Sequence, residues 1–539
     1  MSLQFNVLTA TATDLEDLLI RGTVTSEQVV DHYLHQIETY NGYLHAVISV
    51  APRDVLVARS RQLDEERSRG QVRGPLHGIP VLVKDNIDTH PDLGMETTVG
   101  TYALVGTKVR DSAPHVKQLV DAGAIIIGKA NLSELSNFRG LHMPTGWSAV
   151  GGLTQSPYVV GGKRWDDGYG GHSAVGGSSS GSCAGVAAGF APVSIGTDTN
   201  ASILMPATRN DVYALKPTLG LVSQDGICPI SSDFDSAGPI ARCTRDIAIL
   251  LDTMVDRNKA TNITNGTYTS ELTGVFEGLR IGVLDPSKWH LDPKTTYPNI
   301  SFDDQVDREV CDVYEKLALL GVVVKNVTLP PLKDLEVDGM SQIQRVMDSQ
   351  FQATLESYLQ GLDESKVRTL AEMIQFMRDH ADLEFPPGKR CSYPQAQCLL
   401  NHSKFLTQGL ESPNMTRLET ALSFKISDEE YQKALADVRE FGREKSIDKC
   451  LKENGIDIIL GRADSQINNY YVSAGYPMAV LPLSYAKLNG RPFGMCVIAT
   501  AHQEGLLIRF MSAWEKVFNK ERQLPTWIGG DPSDKTSEL

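Results

Sequence analysis

No run of 18 apolar residues occurs anywhere in the chain, so no segment is long enough to cross a bilayer as a helix. The longest apolar runs, such as Ala124 to Ile127, have only the length of strands. Positive charge is in deficit. Lys and Arg number 51 against 66 Asp and Glu, a net charge of −15, and an acidic surface repels phosphate backbones and anionic lipid. Nucleic acid is therefore excluded as the expected main partner. The eight cysteines include no Cys-x-x-Cys pair, which removes zinc-ribbon and thioredoxin readings. No cluster has metal-ligand spacing, so neither a metal nor a cofactor is expected. The N-terminus MSLQFNVLTATATDLEDLL lacks the basic and apolar blocks of a signal peptide, and a cytoplasmic location is expected. On that footing the Asn-x-Ser/Thr sequons at Asn262, Asn265, Asn326 and Asn414 read as coincidence. Cys391 and Cys398 could bridge across a loop, but that compartment favours reduced thiols. Internal repeats are also missing.

What is present is an ordinary globular composition, 41% hydrophobic and 22% charged over 539 residues. At roughly 150 residues per domain, that length suggests three to four domains. The first segment reads as helices. One ends at Gly22, and a second begins at Thr25 or Ser26 with Val29, Val30, Tyr33, Leu34 and Ile37 at helical spacing. Strand-like runs follow at 78–86 and 124–128, separated by a helical pattern over 113–122. This alternation argues for an α/β architecture. Residues 139–182 are glycine-rich, with 12 Gly in 44 positions, and loops of that length are usually functional or disordered. From 245 to 450 the texture becomes helical and charged, with a loop-rich stretch at 389–415. Strand signals return at 455–464, 476–485 and 494–500, before a closing helix over 503–518.

GGSSSGS at 176–182 looks at first like a phosphate loop, but no Gly-Lys-Ser/Thr ending follows. A flexible linker is the bland reading. It does not explain why the small, apolar CAGVAAGFAP comes next, since a linker leads to an exposed boundary and not into core. A second serine-bearing turn lies in GTDTNASI at 196–203, where Ser202 stands 24 residues after Ser178. A third element is Lys84, which ends the apolar run GIPVLVKDN. Taken singly, each of these reads as structural. His77, His142 and His172 lie near these motifs, but the Ser-His-Asp order and the Gly-x-Ser-x-Gly elbow are absent, so none is read as catalytic.

Taken together, GIPVLVKDNID at 78–88, GKANLSEL at 128–135, GGSSSGSCAGVAAG at 176–189, GTDTNASI, ALKPTLGLVSQDG at 214–226, DSAGPIAR at 235–242 and AGYPMAVLPL at 474–483 resemble the amidase signature family, in that family's order. The resemblance covers most of residues 10–518 and is weakest over 255–450. It implies a large mixed, twisted β-sheet flanked by helices on both faces. It also implies one amidase domain over residues 1–530, with 255–450 as a variable, mostly helical substrate-side region, and the polar tail at 531–539 reads by its own sequence as disordered. The domain count then falls to one.

The resemblance further implies a Ser–cis-Ser–Lys triad, carried here by Ser202 as nucleophile, Ser178 after a cis peptide bond, and Lys84 as base. A serine hydroxyl needs a base during attack, and a lysine can be that base only when neutral. The turn Thr199-Asn200-Ala201-Ser202 would supply backbone N–H donors to the oxyanion and, with Ser178, hold the substrate. The chain departs from the family pattern twice. Asn200-Ala201 replaces Gly-Gly, and a methyl at Ala201 strains the turn if φ is positive there. Leu204 replaces the usual Arg, which leaves Arg209 as the candidate partner for Asp198.

The implied reaction is hydrolysis of a small or peptide-like amide, without metal or cofactor and with room for a homodimer. Rival readings are acyl transfer to an amine, a glutamine-hydrolysing amidotransferase subunit, and an inactive amidase-fold binding protein. Met143, Trp147, Tyr158 and Trp165, with Phe376, Phe385 and Tyr393, are candidate pocket liners.

Overall fold

A computed structural model describes residues 5–256, 258–385, 414–518 and 522–525. Cys391, Cys398, Tyr393 and the 531–539 tail lie outside the described residues. The strands Val47–Val50 (β1), Pro80–Lys84 (β2), Ile125–Ala130 (β3), Val193–Asp198 (β4), Tyr213–Lys216 (β5), Ser236–Ala241 (β6), Arg280–Leu284 (β7), Val323–Val327 (β8), Ile458–Arg462 (β9), Met478–Tyr485 (β10) and Pro492–Ile498 (β11) form one sheet. Its 11 strands run in the order β1-β3-β2-β4-β6-β5-β10-β11-β9-β7-β8. The sheet is mixed. Strands β3, β2 and β4 run parallel, as do β9, β7 and β8, and antiparallel pairs join these two blocks. Every residue of β2 and β4 is buried, as parallel strands covered on both faces require.

Helices cover both faces. Ala12–Ile20 (α1) and Ser26–Leu44 (α2) start on capping boxes, Thr11 with Asp14 and Thr25 with Gln28, so Thr25 is the second helix's cap. These two pack into one apolar core with Thr244–Met254 and Glu504–Phe518. Gln342–Gly361 and Asp428–Gly442 pack into a second core. Alternate residues of one strand serve opposite cores. Met478 and Val480 of β10 point into the second, Ala479 and Leu481 into the first.

The serine-rich stretch is not a linker. Ser180–Ala187 forms a helix whose residues are all buried, so the motif's last serines are already its first turn. The glycine-rich stretch before it holds a small hairpin pairing Trp147–Ser148 with Gly152–Leu153. The six described cysteines, Cys183, Cys228, Cys243, Cys311, Cys450 and Cys496, are free thiols.

Candidate active site

Strands β2 and β4 lie side by side and parallel, with Val83 opposite Ile195, so their C-terminal ends open at the same edge. That edge is where open α/β sheets hold ligands. Lys84 is the last residue of β2, and Ser202 sits in the turn that follows β4. Ser178 enters from a third direction, just before helix 180–187. The Gly177–Ser178 peptide bond is cis. A side chain at Gly177 would collide with Ser133 Oγ, so the close approach of this loop requires glycine.

Lys84 is fully buried. Its Nζ lies 2.7 Å from Ser178 Oγ, 2.8 Å from Thr197 Oγ1 and 3.3 Å from Thr197 O. Asn86 Nδ2 donates to the same threonine hydroxyl at 3.1 Å. Burial lowers the Lys84 ammonium to about 7, against the opposing pull of the Asp198 and Asp235 carboxylates. Ser179 fastens the two serine loops together, donating its N–H to Ser202 O at 3.0 Å and its hydroxyl to Thr197 O at 2.9 Å. Ser178 is 1% exposed and Ser202 is 6% exposed, so Ser202 is the more accessible of the two.

The Ser202 turn is held from three sides. Asp198 Oδ2 accepts from Ile203 N at 2.6 Å, where helix Leu204–Arg209 begins. The Thr199 hydroxyl donates to Asp235 Oδ1 at 2.6 Å. Asn200 Oδ1 accepts from Asn468 Nδ2 at 2.5 Å. Ala201 has φ of 71°, the left-handed conformation that favours glycine.

The expected Asp198–Arg209 pair does not form. Asp198 stands at the start of helix Leu204–Arg209 and Arg209 at its far end, so the two cannot meet. Arg209 instead bonds Asp464 at 3.1 Å, and its Nη1 donates to the carbonyls of Gly170 at 2.9 Å and Gly171 at 2.7 Å. Asp464 also takes Arg491 Nη1 at 2.7 Å, and these guanidiniums hold its carboxyl well below the usual range. This buried cluster straps the glycine-rich loop to the helix that follows Ser202.

The candidate pocket liners divide. Met143 and Trp147 line a narrow crevice with Ser133, whose N–H donates to Ser178 O at 3.0 Å. Phe385 lies against Arg139 of the same crevice, 4.6 Å from its guanidinium to the ring centre. Tyr158 is buried against Tyr485, Trp165 is 45% exposed, and Phe376 stacks on His380. His77 bonds Leu63 O, His172 bonds Tyr297 O, and His142 packs near Tyr169. Asn468 and Asp235 are the contacts that sequence reading missed. Asp235 opens the DSAGPIAR motif, a signal that could have found it, while Asn468 lies in no family motif.

Residues 28–385 match the sequence model of the amidase family. The chain is 32% identical over 527 residues to a putative amidase of Schizosaccharomyces pombe, covering 94% of this chain and 85% of that one. The solved native peptide amidase of Stenotrophomonas maltophilia superposes with a TM-score of 0.79 at 31% identity, over 96% of this chain and 99% of that one. A glutamyl-tRNA(Gln) amidotransferase subunit of Chloroflexus aurantiacus is 33% identical over 325 residues, 59% of this chain and 60% of that one.

Proposed function

The chain belongs to the amidase family of hydrolases, and on that premise we propose that it cleaves the C–N bond of a small or peptide-like carboxylic amide through an acyl-enzyme on Ser202. One observation carries this reading. The buried amine of Lys84 is 2.7 Å from the Ser178 hydroxyl, with its proton affinity lowered to about 7. A neutral amine has two N–H donors and one lone pair. The two donors serve Thr197 O and Thr197 Oγ1, which leaves the lone pair for the Ser178 proton.

In the acylation step Ser202 Oγ attacks the amide carbon. Its proton passes to Ser178 Oγ while the Ser178 proton passes to Lys84. The backbone N–H groups of the turn Thr199-Asn200-Ala201-Ser202 receive the oxyanion, each such donor lowering the barrier by roughly 2.7 to 4 kcal/mol. The relay then reverses. The ammonium of Lys84 returns a proton through Ser178 to the leaving nitrogen, the C–N bond breaks, and water later attacks the ester by the same route. The likeness to a peptide amidase favours peptide-like amides among the substrates.

A panel of primary peptide amides, with the released acid and ammonia measured by mass spectrometry, tests the reading. Release from wild type and none from Ser202→Ala is expected. No release from any amide, together with unchanged mass after a fluorophosphonate, would favour the inactive binding protein. Hydroxamate formation in added hydroxylamine would reveal acyl transfer. The amidotransferase reading rests on a match to 59% of the chain and predicts ammonia from glutamine only with partner subunits present.

A further inference from the structure

A cavity of about 530 Å³ is lined by residues that bond to both halves of the candidate active site, Tyr358 to the lysine segment and Asp235 to the nucleophile turn. Its walls include Gln224, Asp225, Ser232, Asp235, Gln350 and Tyr358, and among the described residues no Lys, Arg or His lines it. One wall reaches the lysine segment. Cys228 N donates to Asn86 O at 2.8 Å, Asp88 N donates to Gly226 O at 2.8 Å, and the Tyr358 hydroxyl donates to Asp88 at 2.8 Å. The other wall reaches the nucleophile turn through Asp235, which accepts the Thr199 hydroxyl.

Asp235 is 6% exposed and takes two further bonds, from Ile230 N at 2.8 Å and Ser231 N at 3.0 Å. It forms no ion pair with a cation among the described residues. Lys84 faces it, but that amine is neutral in its catalytic form, and a buried carboxylate then left without a counter-charge is costly, a cost that a cation brought by a ligand offsets. Asp225, exposed at the rim, accepts the Ser223 hydroxyl at 3.2 Å and adds a second negative charge on the approach. Gln350 cannot supply positive polarity to the cavity. Its Nε2 group is committed to Ser232, Asp233 and Tyr431.

We propose that this cavity is a substrate subsite for a protonated amine, so that amides carrying a primary ammonium group are the preferred class. The assignment rests on the amide-hydrolase reading above. It is tested by binding, which does not depend on turnover. Calorimetry on Ser202→Ala compares N-acetyl-lysinamide with N-acetyl-norleucinamide, which differ in a terminal ammonium group. The ammonium ligand is expected to bind about tenfold more tightly at low salt, the effect of one charge-assisted contact. That ratio should shrink toward one in Asp225→Asn and in high salt. Equal affinities in the parent, or a preference untouched by both salt and Asp225→Asn, overturn the subsite. Loss of fluorophosphonate labelling in the wild-type protein would instead overturn the hydrolase reading, so the two failures are separable.

Discussion

Lys84 sets the pH behaviour expected of this protein. Its ammonium is lowered from 10.5 to about 7 by burial, with the carboxylates of Asp198 and Asp235 facing it. The catalytic form is the neutral amine, so kcat/KM should rise about tenfold per pH unit below about pH 7 and level off above it. Lys84→Ala should lose that limb and roughly 10² to 10⁴ of the rate, read from a pH–rate profile. The same shift acts on folding. Between about pH 7 and 10.5 the unfolded chain holds the Lys84 proton and the folded chain does not, so this group's contribution to stability grows as pH rises through that window. Ala201 offers a second residue-scale test. With φ at 71° it occupies a conformation glycine adopts freely, and Ala201→Gly should stabilise the fold by up to about 1 kcal/mol in urea unfolding. The strain was legible in the sequence, because an Ala stands where the family has Gly. The Asn200–Asn468 contact was not, because it joins side chains 268 residues apart with no shared motif.

At the scale of elements, the six-residue helix Leu204–Arg209 is held at both ends, by Asp198 at its start and by the Arg209–Asp464–Arg491 cluster at its finish. Arg209→Met would leave Asp464 short of one guanidinium and free the carbonyls of Gly170 and Gly171. Breaking a buried pair in this way costs about 3 to 5 kcal/mol, and a thermal melt should show it. Arg209→Lys should recover only part of the loss, since one ammonium cannot reach the carboxylate and the loop carbonyls together. Sequence reading proposed the wrong partner here. Arg209 stood in for the Arg that the family carries where this chain has Leu204, and the direction of a short helix decided otherwise.

At the scale of the molecule, one sheet joins strands from Val47 to Ile498, and its two faces carry separate cores. The α/β class was legible in the alternation of strand and helix patterns. The order of the strands was not, since β10 and β11, near the C-terminus, insert beside β5, and their neighbour β9 joins β7. Hydrophobic pattern marks which residues are buried but not which strand lies next to which. Because closing the sheet requires segments from both ends of the chain, we propose that residues 1–530 unfold as one cooperative unit. Far-UV circular dichroism and tryptophan fluorescence should then give coincident transitions, and two separated transitions would argue for independent domains.

The central claim is that Ser202 is the nucleophile served by Ser178 and Lys84. Peptide mapping by mass spectrometry after reaction with a fluorophosphonate tests it most directly. The account predicts one adduct, on Ser202, that is absent in Ser202→Ala and forms far more slowly in Lys84→Ala. An adduct on another residue, or equal labelling of Ser202→Ala, would contradict it.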